Sequence, residues 1–430
     1  MQVIIISLFE KVNKTLFEGG SSFFIFSLFL LLLFSRAFPD IKNIYFFIPF
    51  FFVSYIFFGT NNLKKNAEIK KIAIFVLIFS LWSGISLFWS QFPLFTLKRS
   101  IYFGLVVLGS LIIGYNLAKK DFLSLLKPFV FVNILIIVSS LYSLIFNTPE
   151  TAWTGGHGLG FMGYAHHQNK FAQYLFLTAA PLVLILHNYK TQKKIKYFIS
   201  LLLILNIIFI SLSVSRGAIL GLFLTWFIFY LVNFSFLKSI LFLALFTIIV
   251  SATIFITSEY FDKEQITIVK HENSFGERRY KTIIDSWDSA INGSFFGLGY
   301  GISDERFKHP ELGYIDKTDE GDIYRREKTI SVLALIEEVG IIGLGFLLLI
   351  LIYPIILLWQ RLNLSNHKVF KQYQVSSIKY QAPSFLIFTF AFLISLNIYA
   401  QIESWWIGIG SAVLPVYFVF VGASLNDKLN

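Results

Sequence analysis

The decapeptide SLSVSRGAIL (211–220) sets one arginine between two long apolar runs, KYFISLLLILNIIFI before it and GLFLTWFIFYLV after it. Arg216 is always charged, and its planar fork matches the oxygens of a phosphate. Ser213 and Ser215 add hydroxyls beside it, and Gly217 allows close backbone approach. This combination suits an anion site at a membrane boundary. The competing reading is that Arg216 snorkels its charge to lipid headgroups, as arginines at span ends do.

Three further stretches carry residues able to do chemistry. NSFGERRY (273–280) offers Arg278 and Arg279, a second arginine centre that could share one diphosphate with Arg216. TGGHGLGFMGYAHHQNKF (154–171) crowds glycines with His157, His166, His167 and Asn169. The histidine spacing fits no metal-ligand pattern, no carboxylate lies between them, and the glycines do not follow a strand as a dinucleotide fingerprint requires. A loop lining a lipid or sugar and entering the next helix fits better. YRREKTISVLALIEEVGIIGLGFLLLI (324–350) places Glu327 and Lys328 just outside a span and Glu337 and Glu338 about two turns inside the helical pattern. Acids there are expensive in lipid. Either they line a functional interior, or an interfacial helix precedes a true span at Gly340 and holds them in water.

The elements that must position these residues are membrane helices. Of 430 residues 56% are hydrophobic and 14% charged, with mean hydropathy +0.69. Continuous apolar runs of spanning length make this a polytopic all-α membrane protein. Spans are expected at about 22–38, 44–59, 72–89, 101–117, 127–146, 170–187, 196–213, 217–233, 239–257, 331–359, 384–400 and 406–423, about twelve in all. The segment before Gly19 reads as an interfacial helix. There is no cysteine, so disulfide and thiol chemistry are excluded. The net charge of +11 sits mainly in alternate loops: Lys64, Lys65, Lys70 and Lys71; Lys190, Lys193, Lys194 and Lys196; Arg361, Lys368, Lys371 and Lys379. That alternation sets both termini in the cytoplasm and argues against nucleic-acid binding.

This orientation leaves one hydrophilic segment outside. Glu259–Lys328 carries 15 acids and 11 bases, and short helices are expected in it, with YKTIIDSWDSAI (280–291) showing one apolar helical face. The organisation expected is a bundle of about nine spans over 1–257, a long outer loop over 258–330 and about three spans over 331–430.

SVSRGA (213–218), the outer loop opening on arginines, Trp287, the FGLGYG turn (296–301) and EKTISVLALIEEVGIIGL (327–344), in this order, resemble the O-antigen ligase and polymerase superfamily. The resemblance implies a glycosyltransferase at the outer face of the bacterial inner membrane, and the poor ligand spacing of the histidines beside several arginines leads to the expectation that it uses no metal or cofactor. Its donor would be an undecaprenyl-diphosphate-linked oligosaccharide, its acceptor a second lipid-linked repeat or lipid A core, and membrane lipids its surroundings. Arg216 matches the superfamily's S-R-G-A arginine, and Arg278 or Arg279 its loop arginine, with the count back from Gly297 favouring Arg279. Many ligases carry a His-Asn pair where this chain reads EKTIS, closer to members with E-K-x-N-S, although Ile330 replaces the Asn. Polymerisation of repeat units is therefore expected ahead of ligation, and either ahead of a transporter, which would show internal repeats. Glu327 is the first candidate for the base and His271 the second. Ser213, Ser215, His167, Asn169 and Lys328 are the expected substrate contacts.

Overall fold

The structure, a computed structural model, describes residues 26–31, 34, 66–118, 122–146, 160–165, 167–188, 193–233, 236–260, 272–307, 313–318, 320–326, 328, 330–368, 381–403, 406 and 411–426. The helices among them are α1 (Ala67–Ile85), α2 (Pro93–Ala118), α3 (Phe122–Phe146), α4 (Gln168–Ala179), α5 (Leu182–Asn188), α6 (Lys193–Leu212), α7 (Arg216–Asn233), α8 (Phe236–Tyr260), α9 (Glu272–Gly293), α10 (Ser331–Lys368), α11 (Gln381–Tyr399) and α12 (Val413–Ser424).

Among the described residues, seven helical segments are long and apolar enough to cross a membrane: Ala67–Phe88, Pro93–Ala118, Leu125–Phe146, Gln168–His187, Lys193–Leu212, Arg216–Asn233 and Ser331–Asn363. Shorter apolar helices, Ser239–Thr253, Pro383–Tyr399 and Val413–Ser424, overlap the expected spans at 239–257, 384–400 and 406–423 without reaching that length. The expected span at 44–59 and the interfacial helix before Gly19 lie outside the described residues, as does most of 22–38.

Helices α2 and α12 interlock. A Cβ on Gly114 of α2 would stand 1.9 Å from the Val419 carbonyl oxygen, and one on Gly422 of α12 would stand 2.0 Å from that of Leu111. Only glycine allows the two backbones this close, the small-residue packing that membrane helices use in place of a hydrophobic driving force. α12 is buried along its whole length as a result. Deeper in the bundle a polar knot ties three helices: Asn133 Nδ2 donates to Asn206 Oδ1 (2.8 Å) and to Thr178 Oγ1 (2.9 Å).

Hydrogen bonds sort the connections onto two ends. At one end, Asn66 Oδ1 caps α1 by accepting from Glu68 and Ile69 N–H, while its Nδ2 donates to the Leu425 carbonyl. Arg361 Nη1 donates to the Ser424 carbonyl nearby. At the other end, Phe161 N donates to Leu212 O (2.8 Å), Trp89 Nε1 to Gly297 O (3.0 Å) and Ser331 N to Ala400 O (3.4 Å). The expected functional stretches all have described residues at this second end.

The hydrophilic segment departs from its expected form. Its helix α9 runs 22 residues rather than being one of several short helices. It also holds a β-hairpin, β1 (Gly313–Thr318) paired antiparallel with β2 (Gly321–Arg326), that helical periodicity does not announce. The hairpin tip is fixed to the bundle, since the Glu320 carboxylate accepts from Leu94 and Phe95 N–H at 2.9 Å each. These donors belong to the first turn of α2, which lacks intrahelical acceptors and where a negative charge also meets the helix dipole favourably. Ile323 of the hairpin packs on Phe92 and Ile302 beneath it.

Candidate functional site

The S-R-G turn is built by two local bonds. α6 ends as Ser213 Oγ donates back to the Ile210 carbonyl (2.6 Å), and Ser213 Oγ then accepts from Ser215 N (3.3 Å). Val214 between them takes φ 57°, an uncommon conformation for a β-branched residue. The chain thereby turns within three residues and re-enters as α7, whose first residue is Arg216. Arg216 is exposed, whereas Ser213 and Ser215 are buried. The Ser215 hydroxyl makes no hydrogen bond among the described residues.

Two other segments close on this turn. The loop entering α4 passes so near that a Cβ on Gly160 would meet Gln168 Oε1 at 2.2 Å and the Ser213 carbonyl at 2.5 Å. His167 caps α4, its Nδ1 accepting from Asn169 N (3.1 Å). From the far side comes the end of α11, where a Cβ on Gly217 would stand 2.8 Å from the Tyr399 ring. Asn169 Nδ2 donates to Glu403 Oε1 (3.0 Å), which joins the α4 loop to the turn after α11. So the exposed Arg216 and the half-buried His167 and Asn169 lie at one end of the bundle, around a turn whose Ser213 and Ser215 are buried. Glu403 joins them unanticipated. Its only signal in the sequence was an acid in QIESWW (401–406), among C-terminal spans otherwise poor in charge.

Lys328 enters a second cluster beside the first. Its ammonium donates to Glu338 Oε1 (2.7 Å) and to the Ile302 carbonyl (3.2 Å), and lies 3.2 Å from Glu337 Oε2. Arg326 Nη2 donates to Glu337 Oε2 (3.0 Å), with both side chains fully buried. The remaining carboxylate oxygens accept from the backbone, Asp304 N to Glu337 Oε1 and Gly301 N to Glu338 Oε2, both at 2.8 Å. This resolves the two readings of Glu337 and Glu338. The helix does break at Gly340 (φ 72°, ψ 178°), as the interfacial-helix reading requires. The acids nevertheless face protein instead of water, paired with cations that the hairpin brings.

The FGLGYG turn exists for this docking. Gly297 (φ 79°) and Gly301 (φ 92°) adopt left-handed conformations, and a Cβ would meet the Glu338 backbone at 2.4 Å and Arg99 Cδ at 2.5 Å respectively. Arg99 lies over the Tyr300 ring at 5.3 Å, a cation–π contact. Burial raises the pKa of the Tyr300 phenol and keeps it protonated, partly opposed by Arg99. Asp304 follows the turn and is pulled two ways. Burial pushes its carboxyl up, but hydrogen bonds from the Arg306 side chain and backbone, and from Asn292, outweigh this and leave it below the usual range. The two clusters adjoin through the bond from Ser331 N to Ala400 O, three residues after Lys328 and three before Glu403.

Arg278 and Arg279 lie within α9, and the positions of their side chains are outside the described residues, as are Glu327, His271, His157 and His166. Among the described residues no three of His, Asp and Glu come together as a metal site would need. No family model matches the chain, and no curated protein matches it.

Proposed function

We propose that this protein is a membrane glycosyltransferase. It takes a glycan from a polyprenyl-diphosphate carrier at the outer face of the bacterial inner membrane and polymerises O-antigen or exopolysaccharide repeat units. The observation that carries this reading is the polar end of a bundle of spanning helices, where an exposed Arg216 opens α7 beside the two segments that Asn169 and Glu403 join.

The chemistry follows from charge. The acceptor hydroxyl oxygen attacks the anomeric carbon of the donor sugar. The bond from that carbon to the diphosphate oxygen breaks, and its electron pair leaves with the lipid diphosphate. Arg216 stabilises that developing charge by its fork, aided by the positive end of the α7 helix dipole. The hydroxyl proton passes to a carboxylate. Glu327 was the sequence's first choice for this. Glu403, at the same end of the bundle as Arg216, is the one the geometry favours. The acceptor is a second lipid-linked repeat, and both termini lie in the cytoplasm.

The deciding experiment incubates the purified protein in liposomes with a lipid-linked repeat unit and resolves products by size. A ladder of glycan lengths is the expected result. A single joined species formed only with lipid A core present would make the protein a ligase. No product from either acceptor, with the folded protein and intact donor verified, would overturn the transferase reading.

A further inference from the structure

Helix α9 is amphipathic in the wrong sense for a loop helix on a soluble surface. Its polar residues Thr282, Asp285, Ser286 and Ser289 are buried against the protein. Its large apolar residues Tyr280, Ile284, Trp287 and Ile291 point outward, and Trp287 remains 57% exposed. Their spacing of four, three and four residues makes one continuous stripe along the helix. Phe295 and Phe296 prolong it past the helix end, at 60% and 56% exposure. Patches of this size on soluble surfaces mark an interaction site.

What covers the stripe is indicated by what it adjoins. Phe296 stacks on Trp82 (6.0 Å between centroids) and meets Trp89 edge-on (5.9 Å). Trp82 and Trp89 sit at the end of the spanning segment Ala67–Phe88. That span presents Ile74, Leu77, Ile78, Leu81, Ile85 and Phe88 outward along its length. Outward apolar residues on a spanning helix face lipid. The α9 stripe therefore continues a lipid-facing surface, and the junction is the tryptophan-rich band expected where hydrocarbon meets headgroups. The stripe itself ends in Tyr280 and carries Trp287, rings suited to that boundary.

We propose that α9 is an interfacial anchor whose Tyr280–Phe296 stripe lies in the acyl–headgroup boundary of the bilayer, with its polar face turned to the protein. The partner is the lipid surface of the membrane the spans cross. The bilayer then fixes the height of the hydrophilic segment. This inference needs only a membrane-embedded chain and stands whether or not the transfer reaction does.

The natural chain has no cysteine, so single labels are unique. Ile284→Cys, Trp287→Cys and Ile291→Cys, each tagged with an environment-sensitive fluorophore, go into liposomes of phosphatidylethanolamine and phosphatidylglycerol, with exposed Glu305→Cys as the aqueous control. The expected result is blue-shifted emission at the three stripe positions, at least about twofold quenching by lipids spin-labelled near the headgroup, and protection from iodide, with the reverse at Glu305. Iodide quenching without lipid quenching at all three would overturn the proposal. So would blue-shifted emission shielded from both quenchers that disappears at one protein per vesicle, because a second copy would then be the cover.

Discussion

The Asn169 amide and the Glu403 carboxylate meet at 3.0 Å although 234 positions separate them in the chain. This bond fastens the loop before α4 to the turn after α11, and Arg216 opens α7 at the same end of the bundle. Loss of either partner should therefore be felt by the other's segment.

Arg216 separates anchoring from chemistry. Lysine snorkels as arginine does, so a mere anchor tolerates Arg216→Lys. A diphosphate fork does not, because lysine keeps the charge and loses the paired geometry. Turnover of Arg216→Lys is expected to fall about 10- to 100-fold and that of Arg216→Ala further, with monodispersity in detergent unchanged. A well-folded Arg216→Lys protein with wild-type turnover would reduce the residue to an anchor.

Glu403 can be tested by a charge-neutral isostere. Gln keeps an oxygen able to accept from Asn169 but cannot take a proton at working pH. If Glu403 receives the acceptor's proton, Glu403→Gln loses about 10²- to 10⁴-fold in kcat with little change in thermal stability. Near-normal kcat in Glu403→Gln, with loss only in Glu403→Ala, would limit the residue to positioning Asn169.

The buried cluster of Arg326, Lys328, Glu337 and Glu338 should dominate the stability of the outer segment. Removing one member leaves an uncompensated buried charge, at a cost of about 3–5 kcal/mol. Arg326→Met and Glu337→Leu should each lower the thermal midpoint markedly in detergent, and the double variant should lose less than the two together. Additive losses would show that the two side chains do not depend on each other.

Asp304 predicts an acid limb. Its folded pKa lies below the ordinary value near ~3.9, so its contribution is complete above that pH and is lost as pH falls through the lower folded value. The stabilising partners are Arg306, at 2.7 Å, and Asn292. Thermal midpoints measured from pH 6 to pH 3 should drop more steeply for the wild type than for Asp304→Asn, which has no proton to gain. Parallel curves would remove Asp304 from the acid response.

Hydropathy alone located the seven segments long enough to span, out of about twelve expected, since long apolar runs have no other way to satisfy their backbones in lipid. It also placed a boundary between spans at Arg216, while the break at Gly340 was one of two open readings of that helix. The glycines of FGLGYG announced a turn, but not that the turn would cradle Glu338. Whether Glu337 and Glu338 face water, lipid or cations was undecidable from the helix, because their partners arrive at the end of a hairpin and just after it, as Arg326 and Lys328, which look like solvated charges when read in isolation. Glu403 and the outward stripe of α9 were hidden for the same reason. A helical pattern says which residues share a face, and an acid between spans says only that a charge is there. Which face is buried, and which distant residue meets that charge, is settled by how the helices pack, because burial and ion pairing depend on neighbours brought together only when the chain is folded.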